Sequence, residues 1–228
     1  PGKDASTVQR FTEDFTTHQG TPEAIKVVCM DMSKAFIAGA AQYLPKAAVA
    51  FDGFHVVQLA NKAVDAVRRQ EISHEGGGET WLKKTRWLLL KSYAKVRGHA
   101  RQHLNRVIHS TLKTARAWAL KDAFAHFWTY NHPSYAKAFL DTWITRALRS
   151  RLPPIRKVAN TLRDHESLIL NWFIFKKTFS SAAVEGLNNK VRVITRRSYG
   201  FRSFHVLETV LYHTLGNLPE PELTHKFC

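Results

Sequence analysis

Three carboxylates stand where chemistry on a phosphate could use them. Asp31 ends the apolar run AIKVVCM (24–30), Asp52 ends the run AAVAF (47–51), and Glu185 heads SSAAVEGLNNKVRVITRRSYGFR (180–202). Glu185 is the lone acid of that last segment, followed by Lys190, Arg192, Arg196, Arg197 and Arg202. Hard divalent cations such as Mg²⁺ take carboxylate oxygens and retain waters. Two such ions roughly 4 Å apart activate an attacking oxygen and stabilise a leaving one. The carboxylates must converge from different elements, as the carboxyl end of a sheet crossed by a helix allows. Arginines and lysines nearby would hold the polyanion that the acids alone repel.

Each of these residues also has a plain structural reading. An aspartate at a βα turn commonly caps the following helix. A glutamate in a first helical turn is favoured by the helix dipole, and a row of arginines is as readily a solvated face. His55, three residues after Asp52, fits an ordinary helix-start histidine.

The elements that would position these groups follow from pattern. Val8, Phe11 and Phe15 have helical spacing within 4–19, with Gly20 as a stop. The runs 24–30 and 47–51 read as short buried strands, each followed by a helix, 33–44 (closed by Pro45) and 54–71. Strand, helix, strand, helix with short turns is the signature of parallel pairing. EGGGE at 75–79 breaks the pattern, and the basic stretch beyond it to about 172 reads as helical throughout, with Pro133 and Pro153–Pro154 marking helix starts. In the 181–196 helix, Val184, Leu187, Val191 and Ile194 share one side. Glu185, Asn189, Arg192 and Arg196 gather opposite, within roughly 60° of one another, with Ser180 or Ser181 as N-cap. The expected fold class is α/β, with 1–75 and 166–228 forming a core and 76–165 a large all-helical insertion.

Composition narrows the partner. The 228 residues carry 34 Lys and Arg against 18 Asp and Glu, a net charge of +16. That excess favours a polyanion, and nucleic acid is the usual one. A hydrophobic fraction of 44% is ample for a core, so disorder is not the expectation. No apolar run approaches a membrane span, and PGKDASTVQRF is not a leader sequence. Two distant cysteines, Cys29 and Cys228, argue against a disulfide framework and fit a reducing cytoplasm. The 12 histidines are scattered, without metal-site spacing.

Three segments then carry a resemblance. VVCMDMSKAFIAGAAQYLPKAAVAFDGFHV resembles the Asp-Met-Ser, Leu-Pro-x-Ala and Asp-x-Phe-His-Val pattern of the ISL-three family of bacterial insertion-sequence transposases. LKKTRWLLLK (82–91) is similar to that family's Lys-x-Thr/Ser-Arg-x-Leu-Leu-Leu-Lys element. AVEGLNNKVRVITRRSYGFRSF (183–204) is similar to its Ala-Glu-Gly-x-Asn-Asn-Lys helix with Arg-Arg-x-Tyr-Gly-Phe-Arg behind it. The three occur in order across essentially the whole chain.

The resemblance implies a ribonuclease H-like core, interrupted by the helical insertion, in which two aspartates and a glutamate bind two Mg²⁺ or Mn²⁺ ions. Asp31 maps to the second aspartate and Glu185 to the third carboxylate, which makes these the expected metal ligands. Asp52 and His55 match a D-x-x-H signature with a supporting role, and Asp52 stays open as an alternative ligand to Asp31. The implied activity is DNA strand cleavage and strand transfer. A non-catalytic DNA-binding remnant and a ribonuclease H-like nuclease or resolvase are the alternatives. Asn189, Lys190, Arg192, Arg196, Arg197 and Arg202, with Lys83, Lys84 and Arg86, are the expected DNA contacts. Transposon ends and target DNA are the expected partners, in a homo-oligomer in a bacterial, nucleoid-associated setting. The family's first aspartate lies on an earlier strand that nothing here matches, since Asp4 and Asp14 sit in or beside a helical pattern. The chain is therefore expected to be a fragment of a longer protein, and inactive in cleavage by itself.

Overall fold

The computed structural model describes residues 4–51, 53–73, 80–175 and 182–216, with the backbone alone at 80 and 182–185. The chain divides into two compact units, Pro1–Ser180 and Ser181–Cys228. The described residues are mostly helical with one small parallel sheet, which is compatible with the α/β class.

The first unit opens with α1 (Ala5–Thr17), β1 (Val27–Met30), α2 (Lys34–Tyr43), β2 (Ala48–Phe51) and α3 (Gly53–Ser73). β1 and β2 pair in parallel, from Val27 opposite Ala48 to Met30 opposite Phe51. Val27, Val28 and Val49 suit the pleated surface, and a parallel pair needs a crossover such as α2. α2 lies close on α1 because Gly39 has no side chain: a Cβ there would stand 2.9 Å from Val8 Cγ2. These elements match the sequence expectation to within about three residues at each end.

After α3 the described chain is helical, as expected: α4 (Arg86–Leu90), α5 (Gly98–Ile108), α6 (Lys113–Phe124), α7 (Pro133–Arg149), α8 (Pro153–Asp164) and α9 (Glu166–Ile174). Pro133 and Pro153 each occupy a first helical position, where the missing N–H costs nothing. The EGGGE break, like the Ser180 and Ser181 caps, lies outside the described residues.

One core joins the sheet to these helices. α3 buries Val56, Ala60, Ala63, Val64 and Val67 at helical spacing, and α6 and α8 both pack on it. Phe124 and Phe127 stack at 5.3 Å, and Phe173 meets Phe127 edge-on at 5.0 Å. Asn171 of α9 donates its amide to the Val49 carbonyl at 2.6 Å, which ties the last helix of this unit to β2.

Two charged side chains satisfy backbone groups across this core. Leu112, the N-cap of α6, offers no side-chain acceptor. Glu71 of α3 fills that role from a distance: Oε1 accepts the Lys113 N–H at 2.6 Å, and Oε2 accepts the Thr114 N–H at 2.8 Å. Conversely, buried Lys121 of α6 donates to the carbonyls of Leu89, Leu90 and Lys91 at the end of α4. Burial pushes its ammonium down to about 8, below the unfolded value near 10.4. Between those values the unfolded chain holds more protons, so stability rises with pH there, by at most ~1.4 kcal/mol per unit. Urea unfolding of the chain and of Lys121→Met at pH 8, 9 and 10 should show this rise in the former and its loss in the latter.

The second unit contains α10 (Ala182–Arg197) and α11 (Phe204–Leu215), packed together. The turn between them takes Gly200 to φ +97°, a conformation open mainly to glycine. Ser203 caps α11 by accepting the Val206 N–H at 3.4 Å. Among the described residues no helix is long and apolar enough to cross a membrane.

Candidate catalytic site and nucleic-acid interface

Asp31 follows directly on Met30, whose register partner is Phe51, so it stands at the carboxyl end of the parallel pair. It is half-buried, and Oδ1 accepts the Ser33 N–H at 3.1 Å. That bond forms an Asx turn. Ser33, not Asp31, is the N-cap of α2, so the aspartate is not spent on capping. Asp52 lies outside the described residues, immediately after Phe51 in the chain. His55 sits in the first turn of α3, half-buried, with its ring edge-on to Phe54 at 5.7 Å. The start of α3 is pinned by the helical part of the core: a Cβ on Gly53 would stand 3.2 Å from the Trp128 ring.

Glu185 lies in the first turn of α10, and its side chain is outside the described residues. Among the described residues no three His, Cys, Asp or Glu side chains gather as a metal site. Of the two expected ligands, Asp31 and Glu185, and the alternative Asp52, the described side chain is that of Asp31. Its chemistry, a half-buried carboxylate with one oxygen in a single local bond, fits a hard divalent cation.

The basic elements divide between the units. On α10, Asn189, Lys190, Arg192, Arg196 and Arg197 are all exposed, as is Arg202 beyond the turn. Arg192 Nη1 reaches Asn189 Oδ1 at 3.4 Å, which confirms that these two share a face. Replacing Arg192 or Arg196 by alanine is expected to weaken DNA binding equally for all sequences and to lower the salt slope by about one unit per lost phosphate contact. Titrations at several salt concentrations measure it; an unchanged slope would place these arginines in solvent.

Around LKKTRWLLLK, Leu82, Thr85 and Leu89 are buried, while Lys83, Lys84 and Arg86 are exposed. Thr85 Oγ1 donates to the Leu82 carbonyl at 2.7 Å. The same carbonyl accepts from Arg68 Nη1 at 3.3 Å, which fastens the segment to α3. Arg68 is held by Asp65, with Nε at 2.9 Å and Nη2 at 2.7 Å from Oδ1. Asp65 Oδ2 also faces Arg69 Nε at 3.2 Å and Arg86 Nε at 3.7 Å. This buried acid, shared by three arginines, is what the sequence reading missed. Its signal was the spacing in VDAVRR, an acid followed by arginines three and four residues later.

Residues 1–211 match the ISL3 family model of DDE transposases, and the chain belongs to that family of transposases. It is 26% identical to the transposase for insertion sequence element IS1001 of Bordetella parapertussis over 206 residues, which is 89% of this chain and 50% of that protein. It is 25% identical to the transposase for insertion sequence element IS1557 of Mycobacterium tuberculosis over 240 residues, 95% of this chain and 53% of that protein. The chain thus spans about half the length of the curated relatives it matches. No solved structure matches it.

Proposed function

We propose that this chain forms much of the catalytic part of a DNA transposase, a ribonuclease H-like core with an inserted helical region, which cleaves DNA strands and joins them to a target. The observation that carries this reading is Asp31 at the carboxyl end of a parallel pair in a chain of this family. Asp31 and Glu185 would hold divalent metal, Mg²⁺ or Mn²⁺, with Asp52 and His55 in support. The metal, when bound, supplies the Lewis acid that stabilises charge on the phosphate oxygens. The chain's own part is to present carboxylates on fixed elements and to hold the DNA. Asp31 is oriented by its Ser33 bond. Lys83, Lys84 and Arg86 of the first unit and the exposed cations of α10 and its following turn would neutralise phosphates. Transposon ends and target DNA are the partners this implies, handled by an assembly of several copies.

The test is Glu185→Gln in a protein of the relatives' length that carries this sequence, assayed for cleavage of a labelled transposon end with Mg²⁺ or Mn²⁺. Cleavage should be lost and DNA binding kept. Cleavage unaffected by the change would overturn the reading. A labelled 3′-hydroxyl end that is cut but never joined to target would point to a nuclease instead.

A further inference from the structure

A groove of about 620 Å³ runs along α3 toward α4, lined by Phe54, Asn61, Lys62, Arg69, Arg86 and Trp87 among others. It lies wholly within the first unit. Its α3 residues lie on a face beside the one that is buried in the core. Two features set it apart from an ordinary surface cleft. Large aromatic side chains stand in solvent at its wall, Trp87 at 69% exposure and Phe54 at 55%. Its exposed charge is of one sign: Lys62, Arg69 and Arg86. The acid beneath them, Asp65, is shared by Arg68, Arg69 and Arg86, so these three arginines and Lys62 outweigh it by a net three positive charges. The Arg86 guanidinium lies 5.0 Å from the centre of the Trp87 ring, which braces the indole without covering its other face.

Exposed aromatic faces beside a row of cations are what an unpaired nucleic-acid strand uses: bases stack on the rings, and the backbone follows the charges. A duplex cannot use the rings, because its bases already stack on each other. From Phe54 to Arg69 the helix rises ~22 Å, enough for several nucleotides at 3.4 Å per residue of strand. The groove also starts at the right place, since Phe54 stands in the first turn of α3, just beyond the carboxyl end of β2.

We propose that this groove binds unpaired DNA, with bases stacked on Trp87 and Phe54 and phosphates on Lys62, Arg69 and Arg86. This rests on the transposase reading and adds to it a path for a single strand beside the carboxylate end of the sheet.

The test measures the affinity of this chain for oligo(dT) and for duplex DNA of equal length, with tryptophan fluorescence as a second readout. Trp87→Ala, at an exposed position, should weaken oligo(dT) binding roughly tenfold and abolish most of the quenching, while duplex affinity and its salt slope stay unchanged. Trp87→Phe should restore most of the affinity. Equal losses for both DNA forms, or no loss for oligo(dT), would overturn the groove proposal and leave the transposase reading standing. Failure of the unaltered chain to bind oligo(dT) would likewise overturn the groove proposal, while the transposase reading is decided by cleavage in the longer protein.

Discussion

Asp31→Asn is expected to lower strand cleavage by about 10³-fold or more while DNA affinity stays within about twofold. The exchange is informative because of what it preserves. The Asp31 carboxylate accepts the Ser33 N–H through Oδ1, and the asparagine carbonyl can accept the same bond. The Asx turn that leads from β1 into α2 is therefore kept, and the one thing lost is charge. A neutral amide is a far poorer partner for a hard divalent cation than a carboxylate. Cleavage of a labelled transposon end by a protein of the relatives' length carries the measurement, with binding and thermal unfolding as controls. Cleavage at the unaltered rate would pass the ligand role to Asp52, the alternative that spacing leaves open.

The second large effect is on stability. Arg68→Met should cost about 3 kcal/mol, seen as a fall in the unfolding midpoint of roughly 6–12 °C for a domain of this size. Asp65 and Arg68 are both buried, and removing one partner leaves the other charge in a poorly solvating site. Arg69 and Arg86 stand near Asp65 Oδ2, which holds the cost at the low end. The Leu82 carbonyl also loses its α3 donor, so protection of the Thr85 region from hydrogen exchange should fall as well. Replacing both residues, with Asp65→Leu beside Arg68→Met, should recover most of the loss, because two apolar side chains need no partner. A double variant as unstable as the single one would show that packing, not the buried charge, sets the cost.

The sequence was most legible where local pattern and tertiary demand agree. Short apolar runs ending on aspartate became β1 and β2, and the helix expected over 54–71 became α3. Proline at the starts of α7 and α8 was equally readable, because its fixed φ acts on the chain locally. The candidate site was legible to the extent that it depends on strand ends: Asp31 lies where the pattern put it. What pattern could not reach is contact over distance. The bond from Asn171 to Val49 joins residues 122 apart, and no periodicity announces it. Asp65 was hidden differently. On a helix a charged residue is expected to face water, and only the arginines three and four positions later hint that this one is paired inside. The groove's two exposed aromatics, Phe54 and Trp87, were hidden by their type, since an aromatic in a helical pattern is ordinarily assigned to the core.

The capping of α6 by Glu71 has a consequence for the order in which the chain folds. Helix α6 has no acceptor of its own at its N-terminus, and the carboxylate that supplies one lies 42 residues earlier for Lys113 and 43 for Thr114. The loop between must close before that cap exists, an entropic cost met ahead of any reward. Helix α6 should therefore consolidate late, after α3 is in place. A segment beginning at residue 76 and expressed without α3 would lack both this cap and the apolar face that α6 and α8 pack against. Through this contact the folding of the helical region is tied to the strand-bearing part that precedes it in the chain.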